Sequence, residues 1–119
     1  MKIRIKGNSL RLRLTQSEVE EFTSNGRVSD SIHFGENQLI YTLQSEDRGD
    51  VVASFNGEFI TVTIPRKEGE QWASTEQVGI SRDQPLKNNE RLSILIEKDF
   101  QCLIPRKEDE SDLFTNPKA

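Results

Sequence analysis

The stretch Lys2-Ile3-Arg4-Ile5-Lys6-Gly7-Asn8-Ser9-Leu10-Arg11-Leu12-Arg13-Leu14 decides how the rest of the chain is read. Apolar and basic residues alternate with period two on both sides of Gly7-Asn8, which is the pattern of a β-hairpin with one buried face. A two-residue loop at Gly7-Asn8 sets Lys6 opposite Ser9, Ile5 opposite Leu10 and Arg4 opposite Arg11. Ile3, Ile5, Leu10, Leu12 and Leu14 then share one face, and Lys2, Arg4, Lys6, Arg11 and Arg13 share the other. The opening hairpin is therefore strongly basic, although the 119-residue chain carries a net charge of −4.

Working outward, Thr15-Gln16-Ser17-Glu18 has the form of a capping box. It predicts a short helix that docks Val19 and Phe22 and ends at Gly26 as its C′ residue. Residues 27–34 and 38–45 read as a strand pair across Gly35-Glu36-Asn37. Asn56-Gly57 predicts a second tight hairpin, of type I′. Its facing pairs would be Phe55–Glu58, Ala53–Ile60 and Val51–Val62, with Val51, Ala53, Phe55, Ile60, Val62 and Ile64 on one face. Pro65 opens a second helix over 65–74, anchored by Trp72. Residues 77–82 and 90–97 read as strands, the latter with Leu92, Ile94 and Ile96 inward, and 83–89 as a loop. Residues 100–104 extend or pair with the last strand.

The class that results is α+β: a mainly antiparallel sheet or partly open barrel of seven to eight strands built from hairpins, with two short helices. Residues 1–104 form one domain and 105–119 a charged C-terminal tail. Ile64-Pro65-Arg66-Lys67-Glu68 recurs as Ile104-Pro105-Arg106-Lys107-Glu108. This echo is either a common way of leaving a strand or a mark of duplication.

Composition narrows the functional classes. A third of the residues are apolar and 30% charged, which suits a lean but real core. The acidic balance argues against a general nucleic-acid coat. No aromatic alternates with the cations of the first hairpin, so bases have no stacking platform there. No apolar run approaches membrane-spanning length. A single cysteine, Cys102, in an apolar stretch, and no apolar leader, place the chain in a reducing cytoplasm; secretion behind an unseen leader is the alternative.

The basic face is the candidate site. Arg4 opposite Arg11 and Lys2 opposite Arg13 are like-charge pairs that need a counter-charge. It comes from within the chain (acids of a neighbouring strand, Glu20-Glu21, or the acidic run 108–112), or from an external partner, either an acidic protein or a small anion such as phosphate or a nucleotide. A plainly solvated face is the third possibility.

The other chemistry-bearing residues point nowhere specific. His33 has Ser29 and Ser31 on its strand face but no nucleophile elbow. One Cys and one His offer no zinc-ligand spacing, and the acidic run lacks the glycine of a calcium loop. Ser111 lies in an acidic context resembling a phosphosite. No phosphate loop or dinucleotide fingerprint is present. The expectation is a non-enzymatic binding domain with no cofactor and no metal; a phosphate- or nucleotide-binding protein is the alternative, and an enzyme of unrecognised type comes third.

Lys2 to Val19 together with Trp72-Ala73, Val78-Gly79-Ile80 and Lys98-Asp99-Phe100-Gln101-Cys102-Leu103 resemble a family of uncharacterised bacterial proteins of about 120 residues. The resemblance implies only a stand-alone cytosolic domain, since that family carries no known function. Triphosphate-tunnel enzymes, whose barrels point basic side chains inward, are a contrast case: their first strand carries alternating glutamates, where residues 2–6 carry cations.

Overall fold

The computed structural model describes residues 1–101 and 111–117. Eight strands and two helices follow in the order β1 (Lys2–Lys6), β2 (Ser9–Leu14), α1 (Gln16–Asn25), β3 (Arg27–His33), β4 (Gln38–Glu46), β5 (Val52–Phe55), β6 (Phe59–Pro65), α2 (Arg66–Ser74), β7 (Gly79–Pro85) and β8 (Arg91–Lys98). They form two four-stranded sheets, β1-β2-β8-β7 and β3-β4-β6-β5. The expected α+β class of hairpins with two helices is what is found, as two facing sheets and not a closed barrel.

The opening hairpin has the register its alternation predicts, from Lys2–Arg13 to Lys6–Ser9. Thr15 makes the capping box with Glu18, and Gly26 closes α1 at φ +77°. The second hairpin differs by two residues. Phe55 faces Ile60 and Ala53 faces Val62, so the loop is Gly57-Glu58. The cause is local: Asn56 Oδ1 accepts from the amides of Glu58 and Phe59 at 3.2 and 2.8 Å. Asn56 thus ends the strand as an Asx turn, and Gly57 alone takes the positive φ. A shift of two keeps every side chain on its expected face. Residues 83–85, read as loop, continue β7, because each pairs with β8.

Each sheet is joined at its centre by a parallel pair, β2 with β8 and β4 with β6. These two pairings expose a symmetry. Exchanging residues 1–46 with 51–98 maps one sheet onto the other, strand for strand. Leu12 pairs with Ile96 as Val62 pairs with Leu43. Leu14, Glu18 and Phe22 correspond to Ile64, Glu68 and Trp72, positions 50 apart. In β3–β4 against β7–β8 the offsets are 52 and 53, so Val28–Leu43 matches Ile80–Ile96. The chain is a doubled ββαββ unit in which each half lends its second hairpin to the other half's sheet. The echo at Ile104–Glu108 has a different spacing, and its second copy lies outside the described residues, as does Cys102.

The core fills the space between the sheets with Leu12, Leu14, Leu43, Val62, Ile64, Ile94 and Ile96, all buried. Both helices cap one end, where Phe22 and Trp72 meet edge-to-face at 6.3 Å. Gly69 eases their close approach: a Cβ there would stand 3.1 Å from the Phe22 ring, which would have to give by a few tenths of an ångström. The four hairpin loops gather at the other end.

Two seams join the sheet edges. At one, the Met1 α-ammonium pairs with Glu18 and with Asp30 at 3.0 Å, and Tyr41 Oη donates to Met1 O. The ammonium holds the Asp30 carboxyl below its usual range. At the other, Arg82 grips both Glu68 oxygens at 2.6 and 2.7 Å and reaches Asp50. Beside it, Gln84 takes both polar groups of the Ala53 backbone, at 2.7 Å on N and 3.1 Å on O. Leu113 is buried, and the 112–114 segment is tied to the start of α1 and to residues 99–101.

Candidate functional site

The five cations of the opening hairpin stand together on the outer face of the first sheet, because alternation sends the leucines and isoleucines inward. The parallel β2–β8 pairing then brings a second set of side chains alongside. Arg13 lies beside Glu97 and Arg11 beside Leu95. Arg13 Nε donates to Glu97 Oε1 at 2.7 Å, and Arg11 Nε stands 3.5 Å from the same oxygen. Lys2 Nζ lies 3.0 Å from Asp99 Oδ2. That contact is an ion pair without hydrogen-bond geometry, so the buried Oδ2 keeps no hydrogen-bond partner among the described residues.

Five cations therefore meet two carboxylates. Lys2 and Arg13 are neutralised and Arg11 shares Glu97. Arg4 and Lys6, both exposed, have no ion-pair partner among the described residues. The counter-charge found comes from the neighbouring strand β8 and its extension, one of the sources expected. Glu20 and Glu21 are exposed on α1. Of the acidic run, Asp112 binds Ser17, whose hydroxyl hydrogen bond lowers its carboxyl pKa, and Glu108–Glu110 lie outside the described residues.

Two pockets flank this face. One of about 480 Å³ is lined by Lys2, Arg13, Glu18, Asp30, Asp99 and Asp112 among others. The other, of about 190 Å³, lies among the hairpin loops. Its walls are mainly apolar: Ile5, Leu10, Ala53, Phe55, Ile60 and Leu92. Arg4 and Arg11 line neither, and stand on the open sheet.

His33 is exposed at the end of β3, with Ser31 Oγ 3.3 Å from its Nε2, and Ser29 is occupied with Thr42 at 2.7 Å. No group of three or more His, Cys, Asp or Glu among the described residues is arranged to hold a metal ion. Lys98 is a buried cation that the sequence reading passed over. Its Nζ donates to Thr75 O at the end of α2 at 2.7 Å, which caps the helix, and burial lowers its pKa. Its place in an otherwise apolar alternation, one residue beyond Ile96-Glu97, was the available signal.

The fold and face together define a small, internally doubled α+β protein with an open cationic sheet surface. By sequence, residues 1–118 match the model of a family of unknown function, DUF7009, and the chain belongs to that family. No curated protein and no solved structure is significantly similar to it. No helix among the described residues is long and apolar enough to cross a membrane.

Proposed function

We propose that the chain is a non-enzymatic binding domain of the bacterial cytoplasm that receives an acidic protein surface on the outer face of the first sheet. The observation that carries this reading is the pair Arg4 and Lys6. Both are exposed, both lack a carboxylate among the described residues, and Arg4 faces Arg11 across the hairpin. Two like charges directly opposed cost stability, and an acidic partner would turn that cost into binding free energy and faster encounter. The open setting of Arg4 and Arg11 favours a surface over a small anion, which is ordinarily enclosed on several sides. The face carries no aromatic side chain for base stacking.

Calorimetric titration of the full chain with poly-L-glutamate and, separately, with inorganic phosphate tests this. Binding of poly-L-glutamate that weakens as salt rises, and is lost in Arg4→Ser/Lys6→Asn, is the expected result. Saturable phosphate binding that the same double variant abolishes would replace the acidic surface with a small anion. Binding of neither would end the proposal.

A further inference from the structure

The two halves treat the same strand edge differently. In a two-residue hairpin the pair beside the loop exchanges both backbone hydrogen bonds, and alternate pairs follow. In β5–β6 that closing pair is Asn56–Phe59, with Asn56 N donating to Phe59 O at 3.2 Å. The backbone groups of Ala53 and Phe55 therefore turn outward, and Gln84 seals those of Ala53. In β1–β2 the closing pair is Lys6–Ser9. The outward groups are then those of Ile3 and Ile5, the counterparts of Ala53 and Phe55. The residue that corresponds to Gln84 is Ile32, which has no amide to offer. Among the described residues no side chain or strand takes the outward groups of Ile3 or Ile5, and β1 is the edge of its sheet.

This edge has a chemical character of its own. Lys2, Arg4 and Lys6 project on one side of it. On the other, Ile5 is 62% exposed and Ile32 48%, and Ile5 lines the apolar pocket of about 190 Å³ among the loops. Pairing with a second β1 would set cations against cations, which is how natural edges avoid their own kind. A strand of the opposite charge meets no such barrier.

We infer that β1 is a β-augmentation edge, and that its partner is an extended segment of another protein with alternating acidic and apolar residues. Acids opposite Lys2, Arg4 and Lys6 neutralise the outer face. Apolar side chains opposite Ile3 and Ile5 cover the inner one and reach the loop-end pocket. Backbone hydrogen bonds to Ile3 and Ile5 supply the affinity, and the alternation supplies the specificity. The inference rests on the acidic-partner reading above and adds the partner's conformation and pattern.

The probe is the blocked peptide Glu-Val-Glu-Val-Glu, titrated into the full chain at low salt and followed by amide NMR and hydrogen exchange. The controls are the same peptide N-methylated at every residue, the reordered peptide Glu-Glu-Glu-Val-Val, and poly-L-glutamate. Expected are slowed exchange at the Ile3 and Ile5 amides, and binding at least about tenfold weaker for the N-methylated peptide, which can donate no backbone hydrogen bond. The reordered peptide should also bind more weakly. Equal binding of the N-methylated peptide would overturn strand pairing and leave the acidic partner standing. Protection at amides other than Ile3 and Ile5 would overturn the site. Failure of poly-L-glutamate and all peptides to bind would remove both readings.

Discussion

Residues 1–46 and 51–98 build the same unit, yet their first hairpins present opposite surfaces. The outer face of β1–β2 carries Lys2, Arg4, Lys6, Arg11 and Arg13. The equivalent positions of β5–β6 are Val52, Ser54, Asn56, Thr61 and Thr63. Across the second sheet Ser54, Thr61, Thr42 and Ser29 stand in one row of neutral hydroxyls. The fold tolerates either surface, so the backbone does not demand the charge. The seams divide the same way. The β5 edge is closed by Gln84 on Ala53 and by Arg82 on Glu68 and Asp50, whereas at β1 the ties across the seam are, among the described residues, those of the Met1 end, to Glu18, Asp30 and Tyr41. One first hairpin has a sealed edge and an uncharged outer face; the other has an open edge and a cationic one.

The comparison breaks first at the shared core. Phe22 and Trp72 are equivalent, fully packed and in contact. Replacing either with Ala should cost about 3–5 kcal/mol, with Trp72→Ala the larger because the lost volume is greater. The hydrogen bond from Trp72 Nε1 to Val78 O at 3.1 Å adds little, since that carbonyl keeps Lys98 N. Urea unfolding of both variants checks this. A cost near zero for Phe22→Ala alone would mean that the halves do not share one core.

A smaller effect tests the sealed edge. Gln84→Ile puts at β7 the residue type that Ile32 supplies at β3. It removes two hydrogen bonds and leaves the partly buried Ala53 amide and carbonyl unpaired. The expected loss is about 1–2 kcal/mol. Hydrogen exchange at Ala53 should rise toward that at Ile3 while exchange in the central strands β6 and β8 stays slow. Unchanged exchange at Ala53 would show that something other than Gln84 closes that edge.

How much of this was legible follows from which interactions are local. The opening hairpin's register, the α1 capping box and the Gly26 stop depend on residues within a few positions of one another, and all were readable. The Asn56 Asx turn is equally local, but Asn-Gly also fits a type I′ loop, and the sequence cannot rank the two. The parallel β2–β8 and β4–β6 pairings join segments far apart in the chain, with no turn to announce them. Glu97 as the counter-charge of Arg11 and Arg13 was therefore visible only as an unnamed neighbouring-strand acid. The doubling is faint in the sequence because few residues agree at the 50-residue spacing, Gly7 with Gly57 and Glu18 with Glu68 among them. What repeats is the pattern of burial, and burial needs the partner sheet. Gln84 against Ile32 has meaning only after that symmetry is seen.

The smallest effect bears most directly on the open half. Arg4→Ser/Lys6→Asn gives β1 the residues that β5 carries at the same positions. If the cations serve a partner and not the fold, their loss relieves the Arg4–Arg11 repulsion. The variant should then match or exceed the parent by about 0.5 kcal/mol at low salt. The gain should shrink as salt rises, because exposed charges are screened within about 10 Å at 0.1 M. Arg11 would keep Glu97, so no carboxylate is orphaned by the change. Urea midpoints at two salt concentrations decide it. A loss of stability would mean that Arg4 and Lys6 hold the fold through contacts of their own, and the open half would then be as structural as the sealed one. A gain would mark the cations as residues carried at a cost to the folded chain, which leaves binding as what they contribute.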